Sequence, residues 1–347
     1  MTHSISKSIR SSKPSTILTG FLGAGKTTFL NHILNKKSDI RYAIIENEYG
    51  QESIDSELIL RAEDDIIELN NGCLCCTLND NLYEILNTLY ERSDEYDELI
   101  IEATGVADPR GLAAPFINNY AIKKQFPLTR IICLVDAEQV EQQIKNTEEA
   151  IHQITFSDVL LVNKTDLVDK GQLKKIDALL TKLNPLAEII YGNHEGYPSL
   201  DTSMRNNELN EKTSGHEHCH SSSEDSVFPV KQPHAHHDHD HTDGVESHTL
   251  VFNQPFDYPK LHLRLLSFLT FQAKGLYRMK GLIWVGQSGQ QMLLQTVGPR
   301  MSIEEKRPWK AQETKGSRIV VIGKNFQKKS LEKMFTQCFQ KTGQEVL

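Results

Sequence analysis

The feature that most constrains this chain is the segment Gly20-Phe-Leu-Gly-Ala-Gly25-Lys26-Thr27-Thr28. It follows the apolar run Thr16 to Thr19 and opens an amphipathic stretch from Lys26 to Leu34. The pattern G-x-x-x-x-G-K-[ST] therefore stands between a predicted strand and a predicted helix, the setting a phosphate-binding loop requires. Glycines let backbone N–H groups close around phosphate oxygens, and the helix that follows presents its positive end to them. Gly20, Gly23, Ala24, Gly25, Lys26, Thr27 and Thr28 are the candidate phosphate contacts. Lys26 is placed to reach the β/γ-phosphates, and the Thr27 hydroxyl is a Mg²⁺ ligand by the same pattern.

Such a loop needs a sheet behind it, and the sequence supplies one. Apolar runs at Tyr42 to Glu46, Ile66 to Leu69, Glu98 to Glu102, Arg130 to Asp136, Asp158 to Asn163 and Ala187 to Tyr191 alternate with amphipathic stretches. Helices are predicted over Leu78 to Glu91, Pro109 to Asn119, Glu138 to His152 and Lys170 to Leu183. Strand and helix in alternation give an α/β fold, here a P-loop NTPase with a mostly parallel sheet covered on both faces.

At 347 residues the chain exceeds the roughly 250–300 at which one core stops growing, so more than one domain is expected. Four parts are expected: a leader over 1–15, a nucleotide domain over 16–195, a linker over 196–248 and a smaller α+β domain over 249–347. From His216 to His248 stand nine of the fourteen histidines, with seven acids against one lysine. So polar a stretch buries too little apolar surface to offset chain entropy and reads as a flexible connector. Its histidines can be a solvated face or a weak metal-gathering tail. Beyond Thr249 come a predicted helix (Tyr258 to Gln272), strand-like runs (Gly281 to Val285, Met292 to Val297, Arg318 to Ile322) and a terminal helix (Lys329 to Lys341).

The net charge of −8, from 38 basic and 46 acidic residues, gives no support to a nucleic-acid binder with a broadly basic surface. No run approaches the ~18 apolar residues of a membrane span, and the basic, serine-rich first fifteen residues lack the apolar core of a secretory signal. The expected location is the cytoplasm.

Asn163-Lys164-Thr165-Asp166 follows the apolar run Val159 to Val162. A carboxylate at Asp166 can accept both donors of guanine's Watson–Crick edge, whereas adenine would leave it unmatched, so the nucleotide is expected to be GTP. Asn163, Lys164 and Asp166 are the candidate base contacts. Between the two motifs, Glu98-Leu-Ile-Ile-Glu102-Ala-Thr-Gly105 is an apolar strand ending in an acid. Glu102 is placed to hold Mg²⁺ directly or through water, and the Gly105 N–H to sense the γ-phosphate. Lys26, Thr27 and Glu102 form the candidate catalytic set.

Six cysteines stand at 73, 75, 76, 133, 219 and 338, and their spacing is no disulfide framework. In extended backbone Cys73 and Cys75 share a face and can chelate one ion; a turn helped by Gly72 can bring Cys76 round. Three thiolates suit Zn²⁺ or another divalent ion that tolerates soft ligands, with a fourth position open. Exchangeable metal, structural zinc and inert buried thiols are the readings open on spacing alone. Cys133 and Cys338 read as core residues, and Cys219, between His218 and His220, as incidental unless those imidazoles recruit it.

The P-loop, Glu102 in place of the more usual Asp, the CxCC cluster and NKTD together resemble the CobW family of metallochaperone GTPases, which includes zinc-transferring members. The resemblance extends to Tyr277-Arg278-Met279-Lys280-Gly281 and to the run Arg318 to Ile322. It implies that CxCC is the metal site and that Glu46-Asn-Glu48-Tyr-Gly50 is a switch-like acidic segment, with Glu46 assisting metal or Mg²⁺. Family members often carry Glu just after that glycine, where this chain has Gln51 followed by Glu52. The expected protein is a Mg²⁺-dependent GTPase that delivers zinc to the apo form of a client metalloprotein. One rival is a cobalt-directed protein of cobalamin synthesis, since three thiolates do not separate Co²⁺ from Zn²⁺. Another is a metal buffer with a vestigial GTPase, and a third a signalling switch with structural zinc. The oligomeric state, a homodimer included, stays open, and no equivalent of a catalytic glutamine or arginine finger is visible, so slow intrinsic turnover is expected.

Overall fold

Strand β1 (Ser15–Gly20) is buried at every position, as a strand covered on both faces must be. It is central to a sheet with β2 (Tyr42–Glu46), β3 (Ile66–Ile67), β4 (Glu98–Glu102), β5 (Leu128–Asp136), β6 (Val159–Asn163) and β7 (Glu188–Tyr191). The order is β3-β2-β4-β1-β5-β6-β7 and every pairing is parallel. All strands therefore end on one edge, and the chain winds outward in both directions from β1, the switch point at which α/β sheets bind ligands. The computed structural model describes residues 11–35, 40–46, 66–67, 78–193, 196–197, 244–286 and 288–340.

Helices α1 (Lys26–Asn35), α2 (Leu78–Glu91), α3 (Pro109–Asn118), α4 (Tyr120–Gln125), α5 (Val140–Asn146), α6 (Glu148–Phe156) and α7 (Lys170–Leu183) connect the strands. The single helix expected over Glu138 to His152 is two. Thr147 is extended, its N–H donates to Gln143 O, and its Oγ1 accepts from Ala150 N, so one residue closes α5 and opens α6. Asn119 does the same between α3 and α4, its Oδ1 accepting from Ala121 and Ile122.

The second domain has β8 (Val245–Phe252), α8 (Tyr258–Phe271), β9 (Leu276–Trp284), β10 (Gln290–Val297), β11 (Arg300–Pro308), β12 (Ser317–Lys324) and α9 (Lys328–Thr336). Its sheet, β11-β10-β9-β12-β8, is antiparallel. Neither β8 nor β11 is among the strand-like runs expected from the sequence. Both are edge strands rich in polar residues, among them Glu246, His248, Glu304 and Lys306, and edges carry such residues because one side faces water.

Alternation along β12 explains how the two domains join. Ile319 and Val321 enter a core with Leu265, Phe268 and Phe335 of α8 and α9, while Val320 and Ile322 enter one with Ile151 and Ile154 of α6. At this seam Asp158 accepts from Arg278 Nη2 at 2.6 Å, Lys280 Nζ at 2.7 Å and Ile131 N at 3.0 Å. Arg278 also donates to the carbonyls of Phe156 and Ser157. Burial alone would raise the Asp158 carboxyl, but the facing Lys280 and Arg278 outweigh it and hold it well below the usual carboxylate range.

Candidate nucleotide site

β1 ends at Gly20, and the turn to α1 has positive φ at Gly20, Gly23 and Gly25. At Gly25, with φ 95°, a side chain would also collide with Asn163 Nδ2, so only glycine fits. The Lys26 ammonium lies back across this loop, donating to Gly20 O at 2.9 Å and Phe21 O at 3.4 Å. Burial lowers its pKa, and the neighbouring Glu102 carboxylate opposes that shift. Thr27 Oγ1 donates to Glu102 Oε1 at 2.9 Å, so two residues 75 apart in sequence meet at the start of α1. A hydroxyl and a carboxylate side by side are the hard oxygen donors that Mg²⁺ takes, and the pair fits that ion. Glu46, at the end of β2, is the register partner of Glu102, which places a second acid at the same sheet edge.

The Asn163-Lys164-Thr165-Asp166 motif sits at the end of β6. Asn163 Nδ2 donates to Ala24 O at 2.8 Å and so ties NKTD to the phosphate loop. Lys164 adopts the left-handed conformation, φ 60°, which costs a non-glycine residue roughly 1–2 kcal/mol. Its ammonium is held at 2.7 Å by Asp136 Oδ2. Asp136, buried at the end of β5, also accepts from the N–H groups of Glu138 and Gln139. The sequence reading overlooked this acid; a strand ending in Asp beside the NKTD strand was the available signal. Asp166 lies in the 3₁₀ turn Thr165–Leu167 with its side chain exposed. Thr165 Oγ1 anchors that turn to Gly192 O at 3.1 Å.

The loop after β4 closes the site. Gly105 packs so tightly on the phosphate loop that an added Cβ would stand 2.8 Å from Leu22 N. Asp108 caps α3, accepting from Arg110 N at 2.9 Å, and Pro109 fills the first helical position.

Cys73, Cys75, Cys76 and Cys219 lie outside the described residues. Among the described residues no group of three or more His, Cys, Asp and Glu side chains is arranged to hold a metal. Cys133 and Cys338 are buried. Burial pushes the Cys133 thiol up to about 12, which makes it a core residue and a poor nucleophile.

Residues 14–191 match the CobW/HypB/UreG nucleotide-binding domain, half of the chain. The chain belongs to this family. Residues 245–339 match the C-terminal domain of the cobalamin synthesis protein CobW. Among relatives of this CobW-type chain, the zinc chaperone YjiA of Escherichia coli is 32% identical over 312 residues, covering 89% of this chain and 93% of its own. The zinc-regulated GTPase metalloprotein activator 1 of Schizosaccharomyces pombe is 29% identical, covering 90% of this chain and 82% of its own. The crystal structure of Zn(II)-bound YjiA GTPase from E. coli superimposes with a TM-score of 0.70 at 27% identity, over 95% of this chain and 100% of that one. The P-loop α/β domain followed by an antiparallel-sheet domain is thus the architecture of a CobW-type protein. Among the described residues no helix is long and apolar enough to cross a membrane.

Proposed function

We propose that this chain is a cytoplasmic, Mg²⁺-dependent GTPase that carries zinc on Cys73, Cys75 and Cys76 and delivers it to the apo form of a client metalloprotein. One observation carries the reading: phosphate loop, paired Thr27 and Glu102, and base-reading motif share one sheet edge in a chain related along most of its length to a zinc chaperone. The acidic, histidine-rich stretch that ends before β8, rather than at 248 as expected from the sequence, is proposed as the connector between the two domains.

The parts act as follows. Lys26 moves its ammonium from the carbonyls of Gly20 and Phe21 to the β- and γ-phosphates. Thr27 and Glu102 would hold Mg²⁺, which when bound would supply positive charge to offset that of the phosphates. Asp166 accepts from the guanine edge, while Asp136 holds the Lys164 side chain in place beside the base. The cysteine segment falls in sequence between Ile66–Ile67 of β3 and the start of α2 at Leu78. β3 pairs with β2, and β2 carries Glu46 to the register position beside Glu102. In sequence the metal-carrying segment thus follows a strand paired with the one that bears Glu46. Nucleotide state controls metal only if its states differ in metal or client affinity.

Metal analysis of candidate apo-metalloproteins after incubation with the zinc-loaded chain tests the proposal. Transfer should be faster with GTP than with GDP. Equal transfer in every nucleotide state, or zinc held as tightly after the three cysteines are changed to serine, would overturn it.

A further inference from the structure

Helix α6 touches both the γ-phosphate loop and the second domain. Residues 104–107 form a turn closed by Ala107 N donating to Thr104 O at 3.1 Å, with Gly105 and Val106 at its corners. Gln153, fully buried on α6, donates from Nε2 to Gly105 O at 3.0 Å and Ala107 O at 3.2 Å. Both amide hydrogens are used on this one turn. In a trans peptide the C=O and the following N–H point in opposite directions. Holding Gly105 O against α6 therefore turns the Val106 N–H away from it, and the Ala107 N–H on Thr104 O fixes the preceding peptide, which carries the Gly105 N–H expected to meet the γ-phosphate.

The same helix carries the seam. The His152 ring meets the Tyr277 ring edge-on at 4.6 Å between centroids, and Glu148 pairs with Lys324 at 2.6 Å. Phe156 O, at its last residue, accepts from Arg278. Arg110, two residues beyond the Asp108 cap, reaches His152 Nδ1 at 3.1 Å, a second link from the loop into α6. A nine-residue helix pinned at both sides moves as one body, so a displacement of the turn is felt at Tyr277, Arg278 and Lys324.

We propose that Gln153 is a positioning residue for GTP hydrolysis, holding the turn at 104–107 in the conformation that receives the γ-phosphate, and that α6 passes the turn's state to the C-terminal sheet. The proposal rests on the GTPase reading above. Gln153 touches no reacting atom; it acts through the backbone of Gly105 and Ala107. A physical route becomes a coupling only when both ends are shown to bias the same element, which fixes the form of the test.

The test uses the full chain and the variants Gln153→Met, which keeps length and removes the donor, and Gln153→Glu, which sets a carboxylate against two carbonyls. Affinities for GDP and a non-hydrolysable GTP analogue are measured alongside kcat and Tm. Gln153→Met should lower kcat about 10- to 100-fold, as small misplacements at a reacting centre do. It should weaken analogue binding while GDP affinity stays within about twofold, because GDP has no γ-phosphate to be received; Gln153→Glu should be worse. A folded Gln153→Met protein with wild-type kcat and a wild-type analogue-to-GDP affinity ratio overturns the proposal. If the wild-type chain does not hydrolyse GTP, the GTPase reading fails, while the affinity ratio still decides the role of Gln153. Hydrogen exchange over residues 276–284 of the wild-type protein, independent of any variant, should differ between GDP and analogue. Identical exchange overturns the transmission to the second domain.

Discussion

Changing Asp158 to Asn tests what holds the two domains together. The side chain keeps its shape, but one acceptor oxygen becomes a donor. Asp158 meets Arg278 and Lys280 at Oδ1 and the Ile131 N–H at Oδ2, so both of its oxygens face donors. An amide satisfies only one of those sides and sets N–H against N–H at the other. It also leaves two cations without their counter-charge, one of them, Arg278, only 4% exposed. Breaking a buried pair in this way costs about 3–5 kcal/mol. The lower part of that range is expected here, because Arg278 keeps the carbonyls of Phe156 and Ser157. Lys280, whose pKa burial already lowers, can also lose its proton more readily once Asp158 is neutralised.

Against a total stability of roughly 5–15 kcal/mol this is a large fraction. At about 2 °C per kcal/mol for larger domains, and with a loss of about 3–4 kcal/mol, Tm should fall by about 6–8 °C. Scanning calorimetry reads it directly, and the single transition should broaden or split as the domains uncouple. The sign with pH follows from the lowered carboxyl. Its contribution is fully present above the unfolded value near 3.9 and is lost as pH falls through the folded one. The gap between wild type and Asn variant should thus begin to narrow as pH falls below about 4 and go on narrowing toward the lowered folded value. Replacing the triad by Asp158→Leu, Arg278→Met and Lys280→Met should recover most of the loss, since no charge is then stranded. A fall below 2 °C in the Asn variant alone would refute this account of the seam.

Three further outcomes are expected at the nucleotide and metal sites. Lys26→Ala should abolish GTP hydrolysis and leave the fold intact, because the hydrogen bonds it removes are to Gly20 O and Phe21 O of its own loop; turnover assays on the folded variant decide it. Asp166→Asn should weaken GTP binding by about 10- to 100-fold, the loss of a charged hydrogen bond, and improve xanthine nucleotide binding, read by competition with a fluorescent nucleotide. Deleting 216–243, which spares β8, should lower metal capacity but keep one tight site, while Cys73, Cys75 and Cys76 changed together to Ser should remove it, measured by competition with a chromophoric chelator.

Contiguous motifs were legible because their spacing is their mechanism. The residues from Gly20 to Thr28 must make one turn, and Asn163 to Asp166 must follow a strand, so both could be placed without tertiary information. Other parts depended on residues far apart in sequence. Asp136 stands 28 residues from the Lys164 it anchors, and Asp158 120 residues from Arg278. Asp136 is marked locally only by its place at the end of a strand, and nothing local marks Asp158 as the partner of Arg278. Tyr277 to Gly281 was visible only as a family pattern, and the fold supplies its physics: Tyr277 meets His152, while Arg278 and Lys280 close on Asp158. The helix break at Thr147 was hidden by apolar periodicity continuing on both sides, and β11 by the polar residues an edge strand carries.

The burial of β12 decides how such a molecule can signal. Val320 and Ile322 face α6 with Val245 and Tyr277 beside them, and Val297 of β10 packs with Phe116 of α3. Separating the domains would expose that apolar surface and strand Asp158, Arg278 and Lys280, so a wide swing of the second domain is disfavoured. A large hydrophobic seam with buried charge favours small, packed displacements over hinge opening. The turn at 104–107 is hydrogen-bonded to α6, and α6 packs against β9 and β12, so a shift passed along the proposed route would be a small displacement of packed elements. A crosslink from α6 to β9 that holds the seam should therefore leave GTP turnover intact. If turnover stops in the crosslinked chain and returns on cleavage of the link, the domains must part during the cycle, and the seam is a hinge after all.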